Sequence, residues 1–288
     1  MKKIILTFAV AVICGLSSMA ATIQQMRFHC ESDTTDINAL LEKGAASGIT
    51  TANDLVVFYA KELLGKPYVA HTLEGETEML TINIHQLDCT TFVETLYALT
   101  RTTLSGRFSW RDYAFNLENL RYRDGLMTDY SSRLHYISDW INNNRMRGNM
   151  REITSDIPTA VTKDKSINFM SSHSSSYASL KNDSAMIARI RKVEDGYRNY
   201  RMTYIRKSTL GRDDVRADMH SGDFVGLVTN INGLDISHMG IIYKDERGEV
   251  FLLDASMSGG KVQLEEKPLS AYLKSSKSNI GVRLFRIM

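Results

Sequence analysis

The feature that most constrains the fold is a change of pattern near Gly222. After it, short β-prone runs are separated by turn residues such as Asn232-Gly233 and Arg247-Gly248. The runs are "DFVGLVTN", "DISHMGIIYKD", "GEVFLLDAS", "KVQLEE" and "NIGVRLFRI". Short runs with turns between them are typical of an antiparallel sheet. Because the residues before them carry helical patterns, the order predicts the α+β class.

Two segments in the first half of the chain have clear helical periodicity. Residues 51–64 have apolar side chains at helical spacing, and Asn53 or Asp54 is placed to cap the start. Residues 89–106 repeat the pattern directly after "EMLTINIHQ", whose alternation suits a half-buried strand or an extended segment. Residues 107–220 are rich in charges and helical signals, and we expect a large helical insertion there.

A cysteine, a histidine and an aspartate occupy positions that suit nucleophilic catalysis. Cys89 opens a predicted helix, where unpaired amides and the helix dipole favour a thiolate. His238 lies in a predicted strand, and Asp254 ends the next one. Taken singly, each has a structural explanation: a small buried side chain, a strand histidine, a turn former. As an ordered set they predict a nucleophile, a general base and the group that orients it.

The surroundings of His238 carry a further expectation. Strict alternation puts Ile236, His238 and Gly240 on one face of the strand. Gly240 should leave room for a substrate or for the helix that carries Cys89.

The N-terminal residues have the pattern of a secretory signal peptide. Residues 1–20 combine two lysines, a short apolar run and a small-residue site that ends at Ala20. Cleavage near Ala20 predicts a periplasmic or secreted protein, and a lipoprotein acylated on Cys14 is the alternative. The remaining residues, 21–288, are expected to form a single catalytic domain with no membrane span.

Charge and cysteine content exclude some classes of protein. Without residues 1–20 the chain has 33 basic and 33 acidic side chains, which does not suggest a nucleic-acid partner. A disulfide between Cys30 and Cys89 is open as an alternative, but a chain of this length does not need one to fold, which favours a free Cys89. Four further histidines show no metal-ligand spacing such as HExxH, namely His71, His85, His173 and His220.

Several motifs together resemble a known family. "LDCTTFVETL", "ISHMGIIY" and "LLDAS" resemble the NlpC/P60 superfamily of papain-like cysteine peptidases and amidases of the bacterial cell wall. "GKPYVAHTLEGE", "RYRDGLMTDYSSRLHYISDWINNN", "VTKDKSINFMSSH" and "GLDISHMGI" are similar to its DUF1460 branch. These motifs run from about residue 51 to the C-terminal strands.

The resemblance implies a papain-like core in which the nucleophile helix packs on an antiparallel sheet. It matches Cys89 to the nucleophile and His238 to the base. Asp254 stands where relatives often have a histidine, and a carboxylate favours imidazolium more than a neutral partner does. Tyr68 matches a tyrosine that lines the site in related enzymes. The candidates for substrate contact are Tyr68, Asp88, Arg123, Asp124, Arg133, His135 and Ser237.

Structural alternatives remain open for most of these candidates. Asp88 is equally suited to cap its helix. The charged residues of the insertion are equally suited to a solvated face with internal salt links.

The activity that the resemblance implies is hydrolysis of the amide between N-acetylmuramic acid, in its 1,6-anhydro form, and L-alanine. It requires no metal or organic cofactor, and the partners are peptidoglycan fragments acted on by a monomer. The alternatives are a D-glutamyl-diamino acid endopeptidase, a non-catalytic wall-binding protein and an enzyme that cleaves proteins.

Overall fold

The computed structural model describes residues 20–288. Apart from Ala20, the predicted signal peptide lies outside the described residues, as does Cys14. None of the helices within residues 20–288 has both the length and the apolar character needed to cross a bilayer.

The helices lie mostly before the late strands, as the sequence predicts. In chain order they are α1 Asp33–Ala46, α2 Ala52–Glu62, α3 Cys89–Leu104, α4 Trp110–Arg121, α5 Ile137–Met146, α6 Phe169–Ser172, α7 Ser184–Asp195, α8 Asp213–Ala217 and α9 Leu269–Ser275. α2 begins after Thr51, whose side chain accepts a hydrogen bond from the Asp54 amide at 3.2 Å. The cap is therefore Thr51, because its extended backbone aims the hydroxyl at the third helical amide. Asn53 and Asp54 are already inside the helix.

The strands form two sheets. In chain order they are β1 Met26–Phe28, β2 Leu80–Ile82, β3 Met150–Glu152, β4 Ala160–Lys165, β5 Tyr200–Arg206, β6 Phe224–Thr229, β7 Ile236–Lys244, β8 Val250–Ser256, β9 Lys261–Leu264 and β10 Asn279–Ile287. β1 and β2 pair in parallel. The other eight form an antiparallel sheet in the order β4-β5-β10-β6-β7-β8-β9, with β3 also paired to β10. The mixed helix and antiparallel-sheet architecture predicted from the sequence is confirmed.

Two differences from the sequence analysis concern pairing. β2 is buried at all three positions and pairs with the N-terminal β1, so it belongs to a small separate sheet. The region 107–220 contains β3, β4 and β5 in addition to its helices, and all three join the main sheet. β3 and β5 pair with β10, which comes late in the chain, and β4 pairs with β5. Local patterns cannot indicate such distant pairing.

The main sheet separates two apolar cores. One contains the inner faces of α1 to α5 together with Met239, Ile241 and Leu253 of the sheet. The other contains Ile242 and Leu252 with side chains of α8 and α9. Because α3 packs against β7 and β8, the start of α3 is carried close to the hairpin that holds His238 and Asp254.

A buried ion pair fastens α3 to its neighbours. Arg121 at the end of α4 donates to the Glu94 carboxylate of α3 at 2.7 Å and to the Thr81 carbonyl oxygen of β2 at 2.9 Å. Both charged side chains are almost fully buried. Burial raises the pKa of Glu94, and the adjacent Arg121 guanidinium opposes that rise. The pair therefore fixes the position of α3 only while both partners are present.

Candidate active site

The start of α3 is held by a reciprocal cap. The Asp88 carboxylate accepts hydrogen bonds from the Thr91 amide at 2.8 Å and from the Thr91 hydroxyl at 2.9 Å. In return the Asp88 amide donates to the Thr91 hydroxyl oxygen at 2.8 Å. Asp88 is thus engaged as a helix cap, one of the two roles that the sequence allows. The cap places Cys89 at the first helical position, in the turn whose amides have no intrahelical partners.

His238 and Asp254 meet across the β7–β8 hairpin. The Nε2–H of His238 donates to Oδ2 of Asp254, whose side chain is fully buried. A Cβ added at Gly240 would lie 2.7 Å from the Leu253 carbonyl oxygen and 2.9 Å from Cβ of Asp254. Gly240 therefore lets β8 approach closely enough for the aspartate to reach the ring. The space at Gly240 is occupied by β8, not by a substrate or by α3.

A bulge changes the face of one predicted neighbour. The β6–β7 register shifts between His238, which lies opposite Leu227, and Ile236, which lies opposite Val228. Ile236 consequently packs in the same core as Met239. The alternation expected for Ile236, His238 and Gly240 fails at Ile236 because a bulge inserts one extra residue into the strand.

The structure brings Cys89 to the side of the His238 ring. The side chain of Cys89 lies close enough for its charge to act on His238. Because Nε2 is engaged by Asp254, Nδ1 is the nitrogen left for the sulfur. Burial alone would lower the pKa of His238, but negative charge on Cys89 and the hydrogen bond to Asp254 raise it to about 10. The arrangement therefore favours the imidazolium form of His238 beside the sulfur.

Neither cysteine of the described chain is in a disulfide. Cys30 and Cys89 are both free thiols. The alternative of a Cys30–Cys89 bridge is therefore wrong for this structure, and Cys89 keeps a sulfur that is able to react.

Two residues near the site were missed by the sequence analysis. Glu265 lies near the Asp254 carboxylate. Burial, and to a smaller extent the charge of Glu265, raise the pKa of Asp254, whereas His238 lowers it. Tyr272 of α9 has its pKa raised to about 12 by burial and by the charges of Asp254, Glu265 and Cys89. Glu265 follows Gln263, the register partner of Asp254, by two positions, so alternation in β9 was an available signal. No local pattern indicates Tyr272.

Tyr68 also lies near the sulfur of Cys89. Its amide donates to the Gly260 carbonyl oxygen at 2.9 Å, and it forms a parallel bridge with Leu87, two residues before Cys89. Burial, then the charges of Cys89 and Asp88, raise the pKa of Tyr68 to about 12. The phenol therefore stays protonated at neutral pH and is able to donate a hydrogen bond beside the thiol.

The candidates of the insertion are bound to other partners. Arg123 donates to both oxygens of Asp139, at 3.0 and 2.5 Å, and lines a separate cavity of about 940 Å³. Asp124 adopts a left-handed backbone with φ 55° and its amide donates to Asn143 at 3.2 Å. These contacts shape the turn that follows α4.

The other charged candidates of the insertion are largely internal. Arg133 is buried and donates to Glu74 at 2.9 Å, with Glu78 at 3.4 Å. One ring nitrogen of His135 contacts the Tyr130 carbonyl oxygen at 2.8 Å. Burial and the positive charge of Arg133 lower the pKa of His135 to about 3, so the ring is neutral. This matches the internal salt-link alternative for that region.

Ser237 differs from the other candidates because it is exposed beside His238. Its hydroxyl donates to the Asn279 side chain at 2.7 Å. Within the described chain, Cys89, His238 and Asp254 form no hydrogen bond or ion pair with Arg123, Asp124, Arg133, His135 or Ser237.

Comparison with known proteins supplies relatives for this arrangement. The family model of AmiA-like proteins, described as N-acetylmuramoyl-L-alanine amidase-like, matches residues 59–282. A crystal structure of a N-acetylmuramoyl-L-alanine amidase from Bacteroides uniformis is 35% identical with a TM-score of 0.76, over 82% of this chain and 99% of that one. No curated protein sequence matches the chain significantly.

Two other solved structures are similar. A Bacteroides fragilis protein named a putative xylanase is 39% identical with a TM-score of 0.73, over 79% of this chain and 98% of that one. A Legionella pneumophila protein that carries the DUF1460 family model is 20% identical with a TM-score of 0.68, over 88% of this chain and 95% of that one, and shares the fold. Since the family model spans most of the sequence, the chain belongs to the AmiA-like family of N-acetylmuramoyl-L-alanine amidase-like proteins.

Proposed function

We propose that the protein is a cysteine amidase that hydrolyses the amide between N-acetylmuramic acid, in its 1,6-anhydro form, and L-alanine in peptidoglycan fragments. The observation that carries the proposal is that His238 contacts the buried Asp254 and also lies within range of the charge of Cys89. The name of the Bacteroides uniformis relative supplies the substrate class. The chain order of cysteine, histidine and aspartate, on a helix and two strands of an antiparallel sheet, supports placing the fold in the papain-like NlpC/P60 superfamily.

The mechanism follows from the roles of these three side chains. The Cys89 thiolate attacks the carbonyl carbon, forming a C–S bond, and amides at the start of α3 stabilise the oxyanion. His238 donates its Nδ1 proton to the alanine nitrogen as the C–N bond breaks. The ring then takes a proton from water, which attacks the thioester and releases the carboxylic acid and the Cys89 thiolate. Asp254 holds the ring through Nε2 during both steps.

Tyr68 is the candidate substrate contact that the geometry supports best. Its protonated phenol lies beside Cys89, where it is placed to donate to a substrate oxygen. Ser237 is a second candidate because it is exposed next to His238. The carboxylate of Asp88 is already used by the cap, and Arg123, Asp124, Arg133 and His135 are engaged within the insertion, so we assign them no contact with the reacting amide.

The proposal includes a place of action and an assembly. We infer that residues 21–288 act outside the cytoplasm as a single catalytic domain and as a monomer. The amidase relatives support an extracytoplasmic substrate.

The experiment is product analysis on a defined anhydro muropeptide and its reducing-end counterpart. Mass spectrometry should find the intact sugar and a free stem that begins at L-alanine, with the anhydro form consumed faster. L-Ala-D-Glu left on the sugar would instead indicate the endopeptidase, and an untouched substrate would indicate a wall-binding protein. Digestion of xylan would favour the name carried by the Bacteroides fragilis relative, and digestion of casein would favour protein cleavage.

Two variants assign the chemistry to the sulfur. Cys89→Ala should abolish product, whereas Ser105→Ala, a small change at the opposite end of α3, should retain it. Equal activity in Cys89→Ala and the unchanged protein would overturn the cysteine mechanism.

A further inference from the structure

Potential metal ligands meet beside the small parallel sheet. Phe28 of β1 lies opposite Ile82 of β2, and the His29 amide donates to the Ile82 carbonyl oxygen at 3.1 Å. Parallel strands release the chain at the same edge of a sheet. Cys30, two residues after β1, and His85, three residues after β2, are therefore brought together although 55 positions separate them.

Two atoms in this cluster form no hydrogen bond with any of the described residues. The ligand atoms of Cys30, Asp33 and His85 all lie within 4.8 Å of one another. Asp33 is fully buried; its Oδ2 accepts a hydrogen bond from the Cys30 amide at 2.8 Å, but its Oδ1 has no hydrogen-bond partner among the described residues. Nε2 of His85 has none either, and it lies 3.6 Å from that Oδ1. A buried carboxylate oxygen without a donor is costly, so an additional cation at this point is favoured.

We propose that Cys30, Asp33 and His85 bind one Zn²⁺ ion, with Asp36 as the fourth ligand. Thiolate, imidazole and carboxylate are ligands that zinc uses in proteins. Metal–ligand distances of about 2.0–2.3 Å put the ligands of a tetrahedral zinc about 3.3–3.6 Å apart. Nε2 of His85 is 3.6 Å from Asp33 Oδ1 and 3.2 Å from Asp36 Oδ2, which is close to that spacing.

Two contacts change when the metal binds. Sγ of Cys30 lies 3.4 Å from the Ser32 hydroxyl, and Nζ of Lys66 lies 3.3 Å from Nδ1 of His85. Zinc takes the thiolate and the Nε2 lone pair, so the Cys30 proton is released, the ring proton resides on Nδ1, and the flexible Lys66 side chain turns away. Without metal, Nε2–H would face the Asp33 and Asp36 carboxylates. That metal-free contact is the competing arrangement.

The site joins the N-terminal segment to the turn before the nucleophile helix. The Asn83 side chain accepts hydrogen bonds from the amides of His85 at 3.0 Å and Gln86 at 2.9 Å, and Cys89 follows His85 by four residues. Four protein ligands leave no open position, which is the pattern of a structural zinc. Because the ligands come from two distant segments, short metal-binding spacings in the sequence do not reveal them.

Metal content and thermal stability test the site without reference to hydrolysis. The purified protein is stripped with a chelator under reducing conditions and titrated with Zn²⁺ or Co²⁺. We expect one zinc per chain and, with Co²⁺, a thiolate-to-metal charge-transfer band together with tetrahedral d–d bands. Zinc at about a hundredfold excess over its Kd should raise Tm by roughly 5–10 °C.

Variants identify the ligands. Cys30→Ser and His85→Gln should each weaken zinc binding by roughly 100-fold or more, since changes outside the ligand set already cost 10–100-fold. Cys89→Ala should keep full zinc content, which assigns the thiolate to Cys30. Tm measured without metal checks that each variant folds. Absence of stoichiometric zinc, unchanged binding in Cys30→Ser, or loss of binding in Cys89→Ala would each overturn the proposal, and none of these results bears on the amidase.

Discussion

Asp254→Asn tests the electrostatics of the proposed site. The substitution keeps the size of the side chain but removes the charge that His238 contacts through Nε2. His238 has its pKa raised from 6.5 to about 10 by Cys89 and Asp254 acting against burial. A raised histidine pKa means that the imidazolium is held at neutral pH and is lost as pH rises through about 10. The alkaline limb of kcat/KM therefore reports this group.

The size of the effect follows from that difference. The rise in the pKa of His238 from 6.5 to about 10 corresponds to about 5 kcal/mol of stabilisation of the imidazolium relative to the neutral ring. Cys89 makes the largest raising contribution and Asp254 the next. An adjacent opposite charge typically shifts a pKa by about 1–3 units, so we take about 1.5 units for the loss of the Asp254 charge. Asp254→Asn should then move the alkaline limb to about pH 8–9. The ratio of the variant's kcat/KM to that of the unchanged protein should be about 10–20-fold smaller at pH 10 than at pH 7.

The assay is a pH series of initial rates on an anhydro muropeptide, paired with the rate of Cys89 alkylation by iodoacetamide, which needs no substrate. Glu266→Gln is the matched control, because it removes an exposed carboxylate one residue after Glu265. Its profile should follow that of the unchanged protein. Coincident alkaline limbs for Asp254→Asn and Glu266→Gln would refute the assigned role of Asp254.

Two further predictions concern the framework. Gly240→Ala should cost about 1–3 kcal/mol of stability by crowding and should also slow hydrolysis, because the added Cβ meets the Leu253 carbonyl oxygen at 2.7 Å; equal Tm and rate would contradict the close-approach argument. Glu94→Gln should lower the free energy of unfolding in urea by about 3–5 kcal/mol, since Arg121 is left buried without its partner. Glu62→Gln, which breaks an exposed pair, should cost under about 1 kcal/mol, and similar losses in both variants would argue against the burial effect.

Local patterns predicted the elements that depend on local interactions. Alternation and turn glycines located the late strands β6 to β10, and the helical stripe after Cys89 located α3. The pairing of β1 with β2, and of β3 and β5 with β10, depends on contacts between residues far apart in the chain. Such contacts leave no periodic signal in either partner. The bulge beside Ser237 is also invisible to an alternation rule.

Part of the candidate site could likewise be predicted from the sequence, and part of it could not. Residue chemistry and order pointed to Cys89, His238 and Asp254, and the structure brings these three together. Tyr272 was missed because a tyrosine in a short amphipathic helix resembles any other partly buried aromatic residue. Arg133 was predicted as a substrate contact because charged residues usually lie on the surface of a protein. In the structure it is buried, and Glu74 and Glu78 neutralise its charge.

β10 has a consequence for how the molecule is made. It lies between β5 and β6, and its buried Arg283 bonds to Glu152, Ser138 and Tyr200. Of the ten strands, β10 is synthesised last. It joins the β4–β5 part of the sheet to the β6–β9 part, which carries His238. Until β10 emerges, the β6 edge stays open to pairing with foreign strands, so the main sheet becomes continuous only when the last strand is added.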